Sequence, residues 1–391
     1  MHTADPRPPA ARTAVTGLGV VTASGTTVAA LYDDLRHGRE RFTTAAPAPV
    51  ANALPPGPGS APAEAPARVR AGHVPGPLPL TDFLGARTDR TLSRDSRLLI
   101  HAAATAGTEP AAERTAGERT GVVLGTIRAG RNEYFAIHDA AGSPGHRVNP
   151  VWGPHSGYNA AAAQLSLALG AEGPCLTLCA GTTAGLDAVA TGVRQLRDGV
   201  CDTVLAAGAD TLCAAAGPRA VEDGLPEGEG AALLVLEPAP TAGARALAQV
   251  LGTGEATAPA EDILTPDELG RAATEAVEAA LREAGRPAAE IGLIVLVGTG
   301  DAPADRAIEA ALRQLTAPTV PLTEVARVTG RTGGGDGTLA AALAVEALRR
   351  GAAPAPGAAP LDGTALCVGA DPAGTATALL LGRPAHQESG T

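Results

Sequence analysis

The 391-residue chain contains no lysine; its 30 basic residues are all arginine, set against 41 acidic ones for a net charge of −11. With Ala, Gly and Pro so abundant, this is the coding habit of a high-GC genome. A nucleic-acid binder wants a basic face interleaved with stacking rings. Neither is present, since the chain has only three Phe, three Tyr and one Trp. The five cysteines are an odd count, and none has a metal-site spacing such as C-x-x-C. That fits a reducing cytoplasm better than a disulfide framework. Cys175, Cys179, Cys201, Cys213 and Cys367 are expected to be small buried apolar residues. No run of about 18 apolar residues lacks a charge or breaker, so no membrane partner is expected. The opening MHTADPRPPAART has no apolar core, so it is not expected to be a secretory signal. The expected location is the cytoplasm, with no metal and no cofactor.

What is present is alternation. Strand-like apolar runs at 14–21, 121–125, 175–180, 202–207 and 231–236 are interleaved with helical spacing at 28–36, 94–106, 160–169 and 183–198. A Pro/Ala/Gly stretch at 238–243 reads as a junction. Beyond it the order repeats, with strands near 246–251, 291–297, 364–368 and 376–381 and helices at 266–284, 305–315 and 337–350. This pattern predicts an α/β class with a largely parallel sheet covered by helices. The expected halves are 12–240 and 244–385. The segment 44–80 is so rich in Ala, Pro and Gly that it reads as a loop. The glycines at 298, 300 and 333–335 lack the G-x-x-x-x-G-K-[ST] pattern of a phosphate loop, so tight turns are expected there.

Residues 173–187 read GPCLTLCAGTTAGLD, a strand entered by Gly-Pro and leading into a helix. The segment resembles the nucleophile turn of β-ketoacyl synthases, in which the catalytic Cys stands at the helix start with a Gly three residues on. Gly185 puts that position at Thr182. Cys175 and Cys179 fall seven and three residues too early to take over. The family's first His turn corresponds to VGTGDAPADRAIEAAL, with Val297 at the His position and Asp305 and Glu309 securing the register. The second corresponds to ARVTGRTGGGDG, with Ala326 at the family's Lys and Arg331 at its His. Arginine stays protonated and offers no lone pair. The set Thr182, Val297, Arg331 therefore contains no acid–base pair and no catalytic residue. Thr182 reads either as the relic of a nucleophile or as a plain helix N-cap, for which Thr is favoured. Arg331 is expected to be structural, paired to an acid such as Asp301.

This combination resembles the chain length factor, the non-catalytic partner of the ketosynthase in bacterial type II polyketide synthases. The likeness extends to AVTGLGVVTASG at 14–25, RTDRTLSRDSRLLIHAA at 87–103, GVVLGT at 121–126 and EGEGAALLVLE at 227–237. It implies the five-layered α/β/α/β/α thiolase fold in two similar halves. It also implies a heterodimer with a catalytic ketosynthase, which would supply the Cys and both His for extending a polyketide or polyene chain. An acidic carrier protein would be repelled by this acidic chain on average, so it is expected to dock mainly through the partner. Strand 175–180, with Leu176 and Leu178, is the implied contact across the two-fold. Arg128, Tyr134 and Phe135, after GTIRAG, and Trp152, in NPVWGP, are implied to line the acyl tunnel at the interface. The alternative for the aromatics is ordinary core.

Two stretches depart from the family. The excursion between Asp210 and Gly224 is much shortened, and the GFGG-like gate is replaced by Gly369-Ala370-Asp371-Pro372-Ala373-Gly374, which has no Phe. Two other readings stay open: a stand-alone condensing or decarboxylating enzyme with an atypical nucleophile such as Cys179, and a purely structural homodimer.

Overall fold

Val122, Leu124, Leu205 and Leu233 belong to one apolar cluster, and Val123, Val204, Ala206 and Leu234 to another. Alternate strand residues point to opposite faces, so this sheet is buried on both sides. The same division runs through the second half, where Ile294, Leu296, Leu366 and Val368 part from Leu293, Val295, Ala365 and Cys367. Each fully buried aliphatic side chain contributes about 1.5–3 kcal/mol relative to exposure, and two-sided burial explains why these strands read as continuous apolar runs.

The computed structural model describes residues 12–46, 68–107, 117–142, 147–213, 225–259, 264–357 and 360–384. Its strands are β1 (Thr13–Val21), β2 (Thr43–Ala45), β3 (Val69–Ala71), β4 (Thr120–Gly125), β5 (Cys175–Leu178), β6 (Thr203–Asp210), β7 (Gly230–Pro238), β8 (Ala248–Thr257), β9 (Ile291–Val297), β10 (Leu322–Glu324), β11 (Thr364–Ala370) and β12 (Thr375–Gly382). The large sheet runs β10-β9-β11-β12-β8-β1-β7-β6-β4-β5. It reads as one five-strand pattern used twice. In each set three strands are parallel (β5, β4, β6 and β10, β9, β11), and two more follow antiparallel (β7, β1 and β12, β8). The two sets touch through three residue pairs, Thr13↔Val250, Ala14↔Gln249 and Val15↔Ala248.

Helices Ala184–Arg197 and Gly335–Arg350 lie between the two sets and share one cluster with the inner faces of both. Their alanines, among them Ala188, Ala190, Ala341, Ala342 and Ala344, keep the middle layer thin. Helices Arg94–Thr105 and Ala160–Leu169 cover one outer face, and Pro266–Ala284 and Ala302–Leu315 the other. This is the five-layered thiolase-like arrangement. Local chemistry fixes the ends: at Pro266–Ala284 a capping box joins Thr265 and Glu268, and Gly285 closes the helix in the left-handed conformation.

The sheet is mixed rather than largely parallel, with four parallel and five antiparallel pairings, because β7, β1, β8 and β12 return antiparallel beside the parallel strands. Three local expectations change as well. At the start of and within the stretch read as loop, β2 and β3 pair antiparallel, and Arg70 stacks over Phe42 beside them. The short parallel β10 and the helix Arg131–Gly142 carry too little periodic apolar sequence to stand out. Helix Ala302–Leu315 begins three residues earlier than its spacing suggests, with Pro303 in its first turn, where proline's missing donor does no harm.

Candidate functional site

β5 ends at Leu178, and the chain then makes a 3-10 turn over Gly181–Thr183 before helix Ala184–Arg197. Gly181 has φ 63°, and a Cβ there would collide with the Asp371 carboxylate, so only glycine fits. Thr182 does not cap the helix. Its hydroxyl donates to Ala370 O at 3.0 Å and Asp371 Oδ2 at 3.2 Å, and its N–H donates to Asp371 Oδ2 at 2.8 Å. The N-cap position belongs to Thr183, which makes no side-chain capping bond, while the Thr182 hydroxyl reaches across to Ala370 and Asp371. The base within reach is the Asp371 carboxylate, which is far too weak at neutral pH to ionise a hydroxyl on its own.

Val297 ends β9 as a buried member of the central cluster. Arg331 follows the turn Ala326–Thr329 and is 8% exposed. Its Nη2 lies 3.2 Å from Asp305 Oδ2 and 3.1 Å from Glu324 Oε1. The expected partner Asp301 is therefore replaced. Asp301 starts helix Ala302–Leu315, its N–H bonded to Thr299 Oγ1 at 3.0 Å and its carbonyl taken by Asp305 N. The acid one turn further along is the one that reaches Arg331. Glu324 was not foreseen; it comes from β10, the strand the sequence hid. Burial pushes its carboxyl up to about 7, with Arg331 pulling down and Asp305 pushing up. A Cβ at Gly298 would collide with Glu324 Oε1 and lie 2.7 Å from Arg331 Nη1. The glycine after Val297 thus makes room for the ion pair. Beside it lies a cavity of about 190 Å³ lined by Leu225, Leu296, Arg306, Arg327 and the Arg331–Glu324–Asp305 group.

Buried carboxylates hold the surrounding loops. Asp210 accepts from Thr126 Oγ1 at 2.6 Å, Arg128 N at 2.7 Å and Gly334 N at 2.7 Å, so it ties the 126–128 and 333–334 turns together. Its pKa is raised, chiefly by burial. Asp336 does the same for Thr332 N and Oγ1. Asp95 accepts from Gly130 N and Thr211 Oγ1. It is raised to about 6 by burial, and nearby Glu133 to about 7 by burial and then by the Asp95 charge.

The residues implied for the tunnel and interface divide. Arg128 is buried with its guanidinium 3.1 Å from Glu227 Oε1 and donating to Gly228 O at 3.0 Å. Trp152 is buried in the 3-10 turn Pro150–His155, which packs on helix Arg131–Gly142. On that helix Phe135 is half-buried, its ring 5.8 Å edge-to-face from that of Tyr134, which is 57% exposed. Leu176 is exposed and Leu178 half-buried on β5. Cys175 and Cys179 are exposed, against expectation, because β5 is the last strand of the sheet and, among the described residues, no further strand pairs with its outer edge. Cys201, Cys213 and Cys367 are buried. Burial pushes the Cys179 thiol up, and the Asp210 charge adds to it, which is the opposite of an activated nucleophile. The shortened excursion after Asp210 lies, from 214 to 224, outside the described residues. Among the described residues no helix is long and apolar enough to cross a membrane, and no cluster of His, Cys, Asp and Glu could hold a metal.

The 3-oxoacyl-[acyl-carrier-protein] synthase 2 of Vibrio cholerae is 29% identical over 261 residues, covering 59% of this chain and 63% of that enzyme. The chain thus aligns with less than two thirds of that relative's length. The tetracenomycin polyketide synthase ketoacyl synthase alpha subunit of Streptomyces glaucescens is 28% identical over 392 residues, covering 88% of this chain and 86% of that subunit. Among solved structures, the ishigamide ketosynthase/chain length factor matches with a TM-score of 0.73 and 24% identity, over 95% of this chain and 99% of that one. A ketosynthase in complex with its chain length factor from Xenorhabdus doucetiae matches with a TM-score of 0.71 and 22% identity, over 97% of this chain and 100% of that one. These two likenesses speak to the fold. The N-terminal domain of β-ketoacyl synthases matches residues 10–219 and the C-terminal domain residues 247–357, and on that ground the chain belongs to the β-ketoacyl synthase family.

Proposed function

We propose that this chain is a chain-length-factor-like subunit, without condensing activity of its own, that pairs with a catalytic ketosynthase in polyketide or polyene chain elongation. The observation that carries the reading is the state of the three family catalytic positions. Thr182 is bonded to Ala370 and Asp371, Val297 is core, and Arg331 is locked between two carboxylates. None of the three side chains is itself a general acid or base near neutral pH. A second observation supports the partner. Among the described residues Tyr134, Val148, Tyr158, Leu167, Leu176 and Val200 are the large exposed apolar side chains, and Leu176 stands on β5, the end strand of the large sheet. An end strand that carries an exposed apolar side chain invites another strand.

In this reading the partner contributes the Cys, both His and most of the carrier-protein docking. The present chain, with its halves at 12–240 and 244–385, closes the acyl tunnel near Arg128, Tyr134, Phe135 and Trp152. The test is co-expression with candidate type II ketosynthases. A stable 1:1 complex is expected, with the lone chain self-associating through its open edge. The lone chain should neither condense nor decarboxylate malonyl thioesters, and Thr182→Cys should not create either activity. A well-behaved monomer that ignores every ketosynthase offered, or turnover through an acyl group on Thr182 or Cys179, overturns it.

A further inference from the structure

The turn between β11 and β12 is anchored from both ends of one side chain. Asp371 Oδ1 accepts from Ala373 N at 2.8 Å within the turn, and Oδ2 accepts from Thr182 N at 2.8 Å and from Thr182 Oγ1 at 3.2 Å. The backbone is closed by Asp371 N donating to Thr375 O and Gly374 N donating to Asp371 O, both at 2.8 Å. Pro372 follows and holds Asp371 away from helical conformations. The carboxylate therefore has little freedom to leave, and Gly181 supplies the space it fills.

We propose that Asp371 is a blocking group built into this chain, a carboxylate fixed on the Thr182 N–H and hydroxyl so that this turn can neither receive a negatively charged oxygen nor support an ionised nucleophile. An acyl oxygen that develops negative charge needs a free, preorganised N–H donor. Here the turn's donor at 182 is spent on an internal anion. The same carboxylate, next to the side chain at 182, raises the energy of any second negative charge placed there. Restoring a cysteine alone would thus give a thiol beside a carboxylate rather than a thiolate at a helix start. The inference rests on Thr182 standing at the family's nucleophile position. Its readout involves no partner and no condensation, so it fails or holds separately from the subunit reading.

The experiment measures alkylation by iodoacetamide at position 182, in which the thiolate displaces iodide and the thiol proton goes to solvent. The full-length chain carries Thr182→Cys in a Cys175→Ser/Cys179→Ser background, with and without Asp371→Asn, and labelling is read peptide by peptide by mass spectrometry across pH. The asparagine keeps the size and an acceptor while removing the charge. The expected result is a lower pH midpoint and about tenfold faster labelling near neutral pH in the Asp371→Asn chain, one pKa unit being tenfold in thiolate. Asp371→Ser provides a second neutral variant should the asparagine chain fold poorly. A purely structural role would move the unfolding midpoint and leave the alkylation pH midpoint in place. Rates within twofold and unchanged pH midpoints in both variants overturn the proposal.

Discussion

Arg331 Nη2 stands 3.1 Å from Glu324 Oε1, two buried side chains from different elements. Asp305 adds a second carboxylate at 3.2 Å. Breaking a buried pair from one side leaves the other charge uncompensated and costs about 3–5 kcal/mol. Arg331→Met should therefore destabilise the chain by that order, and Arg331→Met/Glu324→Gln should recover a good part of it. Denaturant midpoints check both. A single variant as stable as the parent would mean the network contributes nothing.

Thr182, Val297 and Arg331 are legible in the sequence only as positions. The resemblance places them from residues close by in the chain, Gly185 for Thr182 and Asp305 and Glu309 for Val297. Their partners are not placed this way. Asp371 lies 189 residues from Thr182, and Glu324 sits on a three-residue strand whose apolar pattern is too short to register. Asp301 looked like the partner of Arg331 because it is acidic and near the turn; one turn of helix decides in favour of Asp305. The alternation of strands and covering helices is legible because both sheet faces are buried and the strands read as apolar runs, whereas the five layers come from the family resemblance. The exposure of Cys175 and Cys179 is not legible, since which strand ends a sheet depends on pairing between distant segments.

Stability should depend on pH in an unusual direction. Glu324 and Glu133 are raised to about 7 and Asp95 to about 6. A carboxyl whose folded pKa is raised binds more protons in the folded state between its unfolded and folded values, so stability falls as pH climbs through that window. These carboxyls make the chain more stable near pH 5.5 than near pH 8, opposed in part by His101 and His155, whose pKa values burial lowers. Glu133 is 3% exposed and its Oε2 has no hydrogen-bond partner. Glu133→Gln should stabilise the chain at pH 8 by up to about 3 kcal/mol and change little at pH 5. Melting curves across pH test it; a Glu133→Gln chain that loses stability at pH 8 contradicts the assignment.

Leu176 separates assembly from folding. It is 38% exposed on the open edge strand, so Leu176→Asp should leave the chain's own secondary structure intact and abolish its complex with a ketosynthase. Circular dichroism and gel filtration of the co-expressed pair report the two effects. Undiminished co-purification would move the interface away from β5.

Trp152 is buried, and Tyr134, on the helix its turn packs against, is mostly exposed. A Trp buries on the order of 200 Å², and its removal from a core costs about 3–5 kcal/mol. If Trp152 bounds the acyl tunnel, Trp152→Ala should lengthen the product while the heterodimer still purifies. Lower yield with an unchanged product distribution, seen for Trp152, Tyr134 and Phe135 alike, assigns all three to packing.

The helix Gly335–Arg350 is buried without interruption from Gly335 to Leu348 and lines the inner faces of both strand sets. During synthesis, strands β1 to β7 leave the ribosome well before it. Their inner face, Val123, Val204 and Leu234 included, has no complete cover until this late segment arrives. The nascent chain therefore passes through a long interval with apolar surface open to other molecules, in which truncation anywhere before residue 348 should leave an aggregating product rather than a smaller folded one.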